Sequence, residues 1–568
     1  MSVQMTSLLG WTKLPPMRPP VRAALIGAAI AAVVTFPGLG NGTLWDNSET
    51  AYGEVAREVL LFHDWVVLHL NGAPWYVQPP LYFWIAALFA KVLGTGTLAL
   101  RLPAALATVV MGAVTAFAVT RQAGERVGIY ASVILSTCLM QAVMGRLAIM
   151  DALLDMFVTL TIFLWFGALE EKSDAAFVWG CVAAALGFLT KGPVAPAIAL
   201  LVIVPYAVWQ SRHESIRLPS RGAWIGGIVA FLAIVAPWFI GLGSRSGAQS
   251  IVELIGHYTF GRYTATIENQ SGPVWYYLPV LILGFFPWIA FVPSSIAYGI
   301  GALRKESERD RNARTVRGLL RLAFCWIATP LIFFSFAKTK LPNYIALEMP
   351  ALALLAAFYF NETVRKFRSR SLLVSAAAVP VTIALVAIAV VLFSRDNRLT
   401  GDLQGVARDL LFVGGAIFLG SLATFALFLR EDTKVAGPYV LGGATALAVL
   451  FLAVLALPAA ERFKPVPVLA NFIDSHRHDG DAVAIQNVSG GNALVFYTRP
   501  HVYVLAQPDA TSSVDGVEPR SVICAAPRVW VVAPIVRPLN DPTYGRRRTA
   551  MMHAAKAQLF LFDGAPCR

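Results

Sequence analysis

Ala223-Trp224-Ile225-Gly226-Gly227-Ile228-Val229-Ala230-Phe231-Leu232-Ala233-Ile234-Val235-Ala236-Pro237-Trp238-Phe239-Ile240-Gly241-Leu242 runs without one ionisable side chain between Arg221 and Arg245. Coiled as a helix it is about 30 Å long, the thickness of a bilayer's hydrocarbon core. Comparable apolar stretches lie at 22–39, 99–120, 127–146, 152–170, 176–191, 194–210, 274–298, 319–337, 343–361, 372–393, 409–429 and 436–457, which makes thirteen candidate spans in all. Residues 80–94 are also apolar, but they open on Pro79-Pro80 and stop at Gly94. That run is short for a crossing and suits a helix lying along or dipping into the interface. The pattern predicts an all-α polytopic membrane protein.

Composition points the same way. Of 568 residues 57% are apolar and 14% charged, against about 45–50% and 25% in soluble domains, which excludes an ordinary soluble enzyme. The net charge of +13 would suggest a nucleic-acid partner in a soluble protein. Here the basic residues sit between apolar runs, so no nucleic acid is expected and the charge serves to orient the chain. With Lys13, Arg18 and Arg22 cytoplasmic, the inside loops hold Arg121 and Arg126, Lys172, then Arg212, Arg217 and Arg221. The Arg304–Arg317 cluster, Arg365–Arg370, and Arg430 with Lys434 follow. Counting 80–94 as a span would place the Arg304–Arg317 cluster outside. The first apolar run is long and lacks a small-residue cleavage site, so it reads as a membrane helix. The expected setting is a bacterial inner membrane, with the N-terminus cytoplasmic.

Two polar regions then project outside: a first loop at about 40–98, within a transmembrane domain 1–458, and a C-terminal domain 459–568. In the latter, short β-rich runs at Ala482–Ile485, Ala493–Tyr497, Val502–Leu505 and Val529–Val532 alternate with Gly, Pro, Asp and Asn, predicting a small periplasmic α/β domain. Cys138, Cys181 and Cys325 fall inside apolar runs and read as small buried hydrophobes. Cys524 and Cys567 share the outer domain, where a disulfide and two free thiols are equally compatible with the sequence.

Under this topology Asp46, Glu49, Glu54, Arg57, Asp64, Asp151, Lys191, His257, Arg262, Lys338 and Lys340 gather at the outer face from five separate loops. Ionisable groups at membrane depth are costly and mark sites. Asp151 and Lys191, at the ends of apolar spans, therefore stand out, with snorkelling or a helix-end role as the rival reading. Glu54, Arg57 and Asp64 read as a solvated face. Ala51, Val55, Val59 and Leu60 recur at helical spacing, so a helix capped by Asn47 or Ser48 is expected to lie on the membrane. Asp46 and Glu49 at its start could act as general base, hold a divalent cation, or merely suit the helix dipole. The aromatic strip Trp75, Tyr76, Tyr82, Phe83 and Trp84 suits a membrane interface and equally a sugar ring.

Several motifs carry a resemblance. They are Trp45 through Arg57, His63-Asp64-Trp65-Val66-Val67, Leu70-Asn71-Gly72, Pro79-Pro80-Leu81-Tyr82-Phe83-Trp84 and Leu100-Arg101-Leu102-Pro103. Gly145 through Asp151, Gly187-Phe188-Leu189-Thr190-Lys191-Gly192, Ala236-Pro237-Trp238, Arg262-Tyr263, Gly272 through Tyr277 and Ser335 through Tyr344 follow in order. Together they resemble the bacterial protein-mannosyltransferase-like family, and within it the aminoarabinose (4-amino-4-deoxy-L-arabinose) transferases. The likeness covers about 40–360. It implies a C-type glycosyltransferase fold and transfer of a sugar from a polyprenyl-phosphate donor to a lipid, glycan or protein acceptor, a lipid A phosphate in the aminoarabinose branch. Asp46, Glu49 and Asp151 become catalytic candidates. Tyr52, Tyr76, Gln78, Tyr82, Lys191, His257, Arg262, Lys338, Lys340 and Tyr344 become substrate-binding candidates, the cations suited to phosphate oxygens.

The chain departs from the family pattern at two points. The adjacent Asp-Glu of the first loop reads Ser48-Glu49 here, leaving the acid between Asp46 and Glu49. The Glu-Lys before Pro-Pro reads Val77-Gln78, which loses a cation ligand and a phosphate-binding charge. A hydroxyl acceptor needs a base, whereas a phosphate acceptor does not. Single displacement at the anomeric carbon is expected. The rivals are the same fold acting on a protein or polysaccharide hydroxyl, and a transporter, although transporters place charges at the midplane of paired halves. A binding domain on a membrane anchor would need one span only.

Overall fold

The computed structural model describes residues 17–45, 48–266, 270–304, 311–364, 369–394, 401–486, 491–498, 501–505, 517–534, 547–554 and 557–563. Helix α1 (Pro19–Thr35) starts on prolines, which fit a first helical turn because its N–H groups have no partner there. The first loop then folds into α2 (Ser48–Leu61), a two-residue hairpin of β1 (His69–Leu70) and β2 (Ala73–Pro74), and α3 (Leu81–Leu93). The bundle follows as α4 (Thr97–Ala123), α5 (Glu125–Thr137), α6 (Leu139–Met144), α7 (Asp151–Glu170), α8 (Asp174–Lys191), α9 (Val194–Ser211) and α10 (Arg221–Ser246). It continues through α11 (Ala248–Val252), α12 (Arg262–Thr264), α13 (Tyr277–Gly284), α14 (Val292–Arg304), α15 (Arg311–Phe336), α16 (Met349–Val364), α17 (Arg370–Ser394), α18 (Gly401–Leu429) and α19 (Gly437–Phe451). Ser173 and Ser220 cap α8 and α10, each hydroxyl accepting an N–H three residues on at 3.2 Å.

Among the described residues ten helices are long and apolar enough to cross a membrane, or eleven if the bent pair Val274–Gly284 and Trp288–Arg304 is one span. The expected thirteen are not reached. α1 has 17 residues, and the 127–146 stretch is broken at Cys138, whose backbone is extended. The Leu139 N–H donates to Phe286 O at 3.1 Å, and Trp288 Nε1 donates to Thr137 Oγ1 at 3.0 Å, so a distant bend holds the break open. Residues 81–93 form a short apolar helix, as the proline-bounded run suggested.

Beyond α20 (Leu457–Ala460), α21 (Pro465–His476) leads into a five-stranded sheet of order β4-β3-β5-β7-β6. Its strands are β3 (Ala482–Ile485), β4 (Val502–Val504), β5 (Val529–Pro534), β6 (Arg547–Ala554) and β7 (Ala557–Asp563). β3 pairs parallel with β4 and β5, and β7 runs antiparallel between β5 and β6. Leu469 and Ile473 of α21 pack with Val483, Trp530 and Leu559 on one face, while Ile523 of α23 (Pro519–Ile523) packs with Val531 and Phe560 on the other. The run Ala493–Tyr497 is helical, not a strand: it lies in α22 (Gly491–Thr498), with Ala493, Leu494 and Val495 buried against the sheet. Cys138, Cys181 and Cys325 are free. Cys524 is disulfide-bonded, and Cys567 lies outside the described residues.

The outer sheet is fastened to the first loop. Asn71 Nδ2 donates to Val502 O at 2.8 Å, and the Val502 N–H returns a bond to Asn71 Oδ1 at 3.0 Å. Tyr497 Oη accepts the Leu44 N–H at 2.8 Å. α2 is consequently sandwiched, not exposed on a membrane surface. Glu54, expected on a solvated face, is fully buried, and Arg57 holds it through Nε at 2.8 Å and Nη2 at 2.5 Å.

Candidate active site

Asp151 opens α7, where the helix dipole favours an anion, and Lys191 ends α8. Gly192 takes φ +69°, which residues bearing a Cβ rarely adopt, so α8 stops at Lys191 and delivers its ammonium to this level. Lys191 Nζ lies 2.5 Å from Asp151 Oδ1, and Asn343 Nδ2 donates to the same oxygen at 2.7 Å. Lys191 Nζ also sits over the Tyr344 ring, 5.3 Å from its centroid.

Two cavities meet at this pair. One, of about 590 Å³, is lined by Trp45, Ser48, Glu49, Tyr52 and Arg146 among others. The second, of about 380 Å³, is walled by Tyr263, Phe333, Phe334, Tyr344 and Leu347 and reaches Asp155. Gln78, Asp151, Lys191 and Asn343 line both. Apolar walls with a few convergent polar groups are the usual form of a ligand site. In this low-dielectric setting a lysine partnered by one carboxylate and an aromatic ring can also face an anionic ligand.

Glu49 lines the larger cavity, yet its carboxylate is fully occupied. Arg101 Nε and Nη2 reach its two oxygens at 2.9 Å each, and the N–H groups of Ala148 and Trp45 donate at 2.5 Å and 2.6 Å. Arg101 also donates to the carbonyls of Leu39, Asn41 and Thr43. Arg146 donates to the carbonyls of Val34, Thr35 and Pro37 at the end of α1. Two arginines thus hold the chain between α1 and α2 against the cavity.

The other residues singled out from sequence separate into groups. Tyr52 lines the larger cavity and packs edge-on to Trp75, Tyr82 and Phe83. Tyr82 is buried, its hydroxyl donating to Leu100 O at 3.2 Å, and Tyr76 packs against the cluster around Trp238; neither reaches the two cavities. Lys340 caps the end of α15, donating to Ser335 O at 2.7 Å and Ala337 O at 2.6 Å, and Lys338 is exposed. Burial and then the Lys338 charge hold the Lys340 ammonium below its usual pKa. Asp46 lies outside the described residues, as do the side chains of His257 and Arg262. Among the described residues no group of three or more His, Cys, Asp or Glu could hold a metal ion.

Arg101, Arg146 and Asn343, which the sequence brought out only as members of motifs, and Asp155 are additions to the site candidates. Asp155 lies one turn below Asp151 and accepts from Gln141 Nε2 at 3.3 Å. Each of the two arginines and Asp155 is an ionisable group in or beside an apolar run, the signal that marked Asp151 and Lys191.

Fold and site together define an integral membrane protein of the C-type glycosyltransferase fold. The ArnT protein of Cupriavidus metallidurans, solved bound to undecaprenyl phosphate, superposes with TM-score 0.78 at 22% identity, over 94% of this chain and 97% of that one. The family profile of dolichyl-phosphate-mannose-protein mannosyltransferases matches residues 77–240. The undecaprenyl phosphate-α-4-amino-4-deoxy-L-arabinose arabinosyl transferase of Yersinia enterocolitica is 29% identical over 366 residues, 62% of each protein. The chain thus spans under two thirds of that relative's length. The corresponding transferase of Pectobacterium carotovorum is 27% identical over 472 residues, 80% of this chain and 79% of the relative. The chain is thus similar in sequence to the bacterial aminoarabinose transferases and, over residues 77–240, to the protein-mannosyltransferase family.

Proposed function

We propose that this chain is a membrane glycosyltransferase moving a sugar, an aminoarabinose-like pentose or a hexose, from a polyprenyl-phosphate donor to lipid A or a related envelope glycolipid. The observation that carries this reading is the junction of two largely apolar-walled cavities at Asp151, Lys191, Asn343 and Gln78. A reaction between two amphiphiles needs such a meeting point, with a cation where the phosphate departs. Negative charge grows on the leaving phosphate in the transition state, so a fixed ammonium there favours departure as well as binding. Asp151 and Asn343 keep Lys191 in place. Glu49, saturated by Arg101 and two backbone N–H groups, positions the first loop, and the role of orienting or deprotonating an acceptor is assigned to Asp46 by its place in the chain. Arg262 and His257 complete the donor side by their place in the chain, and Tyr52 and Tyr344 contribute aromatic walls.

The relatives named for arabinosyl transfer from undecaprenyl phosphate support the donor class. The Lys/Arg distribution supports a cytoplasmic N-terminus and a periplasmic C-terminal domain starting near residue 459, in a bacterial inner membrane. Mass spectrometry of lipid A, other glycolipids and polyprenyl-phosphate sugars from cells with and without the protein tests the proposal. Loss of one sugar from a glycolipid, with build-up of its polyprenyl carrier, is expected. An unchanged lipid profile would refute a lipid acceptor.

A further inference from the structure

The end of the bundle farthest from Asp151 carries a second gathering of polar side chains, for which transfer has no use. α9 starts at Val194, which lines the smaller cavity, and its other end presents Tyr206, Trp209 and Gln210, roughly 20 Å along the helix axis. α15 brings Arg317 and Arg321 to this end, and α14 brings Arg304. Tyr206 Oη donates to Glu170 Oε1 at 2.6 Å, and Arg321 Nη1 donates to Gln210 Oε1 at 2.6 Å. Beside them opens a cavity of about 570 Å³, lined by Trp209, His213, Leu303, Arg304, Arg321 and Phe324 among others.

The charge balance of this cavity is one-sided. Among the described residues no carboxylate lines it. Glu214 is engaged by Arg314 at 3.2 Å and Arg317 at 3.8 Å, and Glu170 by Tyr206. Arg321 is 3% exposed, and its acceptor is the neutral amide of Gln210. Its Nε and the Gln210 Nε2 are buried without a hydrogen-bond partner among the described residues. A guanidinium keeps its charge at any physiological pH; the Glu214 and Glu170 carboxylates act on Arg321 through space, but among the described residues its one hydrogen-bond acceptor is the Gln210 amide, which leaves its Nε to take an anion. The remaining walls, Pro205, Leu303, Phe324 and Ala328, are apolar. Ile300, on the same wall, is 41% exposed, and Val204 and Val208 on α9 are more exposed still, so the cavity adjoins a surface facing lipid. An anion that also carries apolar chains matches both halves of this lining, and basic pockets between membrane helices hold anionic head groups by the same logic.

We propose that this cavity binds an anionic phospholipid, its phosphoryl group held by Arg321 and Arg304 and its acyl chains by the apolar walls of α9, α14 and α15. The site lies at the opposite membrane face from the Asp151–Lys191 pair and is independent of the reaction proposed there.

Cys325 lines the same cavity and is the most exposed of the free cysteines among the described residues, which supplies a readout other than activity. The full chain in neutral detergent is treated with a maleimide in the presence of phosphatidylglycerol, phosphatidylcholine or inorganic phosphate, and labelling at Cys325 is followed by mass spectrometry. Phosphatidylglycerol is expected to slow labelling about fivefold at a lipid concentration a few times the dissociation constant, and to raise the melting temperature. Phosphatidylcholine and phosphate are expected to do neither. Arg321→Met and Arg304→Ala should each abolish the protection. Arg304 is exposed at the end of α14, so its variant tests the site even if Arg321→Met fails to fold. Equal protection by phosphatidylcholine, protection by phosphate alone, or full protection in the folded Arg304→Ala variant would each overturn the proposal.

Discussion

Arg101 forks onto Glu49, Nε to Oε1 and Nη2 to Oε2, both at 2.9 Å and both side chains almost wholly buried. The pair joins α4 to the start of α2, and through the Trp45 and Ala148 N–H groups it also ties down the loop before α2 and the turn before α7. Its removal is therefore a structural event before it is a catalytic one. Arg101→Met leaves a buried carboxylate without its cation and should cost about 3–5 kcal/mol, whereas Glu49→Met with Arg101→Met should recover part of that loss. Thermal denaturation in detergent measures both. A single variant that melts with the wild type would show that the pair is not a fastening.

Lys191 is placed differently. Its ammonium has one carboxylate partner and an aromatic face, and it borders both cavities. Lys191→Ala should lower kcat by about 10²–10³, the usual cost of removing one group that stabilises a transition-state charge. Folding should change less than in Arg101→Met, since Asp151 keeps Asn343 as a partner. Single-turnover transfer from a polyprenyl-phosphate sugar reads the first quantity and melting the second. Activity within tenfold of wild type would remove Lys191 from the leaving-group side.

The sequence exposed Asp151 and Lys191 because an ionisable group at the end of an apolar span is conspicuous whatever surrounds it. It could not separate them from Lys340, equally conspicuous, whose ammonium is spent on the last carbonyls of α15. Glu54 and Arg57 read as solvated because helical periodicity on α2 cannot reveal that α22 of the C-terminal region covers it; Phe496 sits 3.2 Å from where a Cβ on Gly53 would be. Ten of the thirteen expected spans were legible from hydropathy alone. The break at Cys138 was not, because Leu139 finds its backbone partner at Phe286, far along the chain. For Ala493–Tyr497 a five-residue apolar run fits strand and buried helix alike, and only packing against the sheet decides.

Asn71 takes φ +57° in the turn of the β1–β2 hairpin while exchanging two hydrogen bonds with Val502. Two substitutions separate these roles. Asn71→Gly tolerates the backbone and loses the side-chain bonds, at a cost of about 1–3 kcal/mol in docking of the sheet. Asn71→Ala loses the bonds and adds strain at positive φ, so it should be the more damaging of the two. Hydrogen exchange at the Val502 amide reports the docking directly. Unchanged exchange in Asn71→Gly would mean that Tyr497 and Leu44 suffice to hold the sheet on the loop.

Glu58, in the same outer layer, makes stability depend on pH. It is 3% exposed, accepts the Gly72 N–H at 3.0 Å and 3.3 Å, and lies beside the Glu54 carboxyl. Burial, then Glu54, push its pKa up to about 7 from an ordinary 4.5, and the Gly72 N–H and Arg57 offset only part of this. Between those two values the folded chain binds a proton that the unfolded chain has lost, so stability must fall as pH rises through that interval. Below it both states are protonated, and above it both are ionised, so this group adds no further slope. Glu58→Gln keeps an acceptor for Gly72 and removes the titration. The variant should melt above the wild type near pH 8 and together with it near pH 4, measured by differential scanning fluorimetry in detergent. Parallel curves for the two proteins across that range would mean that Glu58 ionises in the folded chain as it does in the unfolded one.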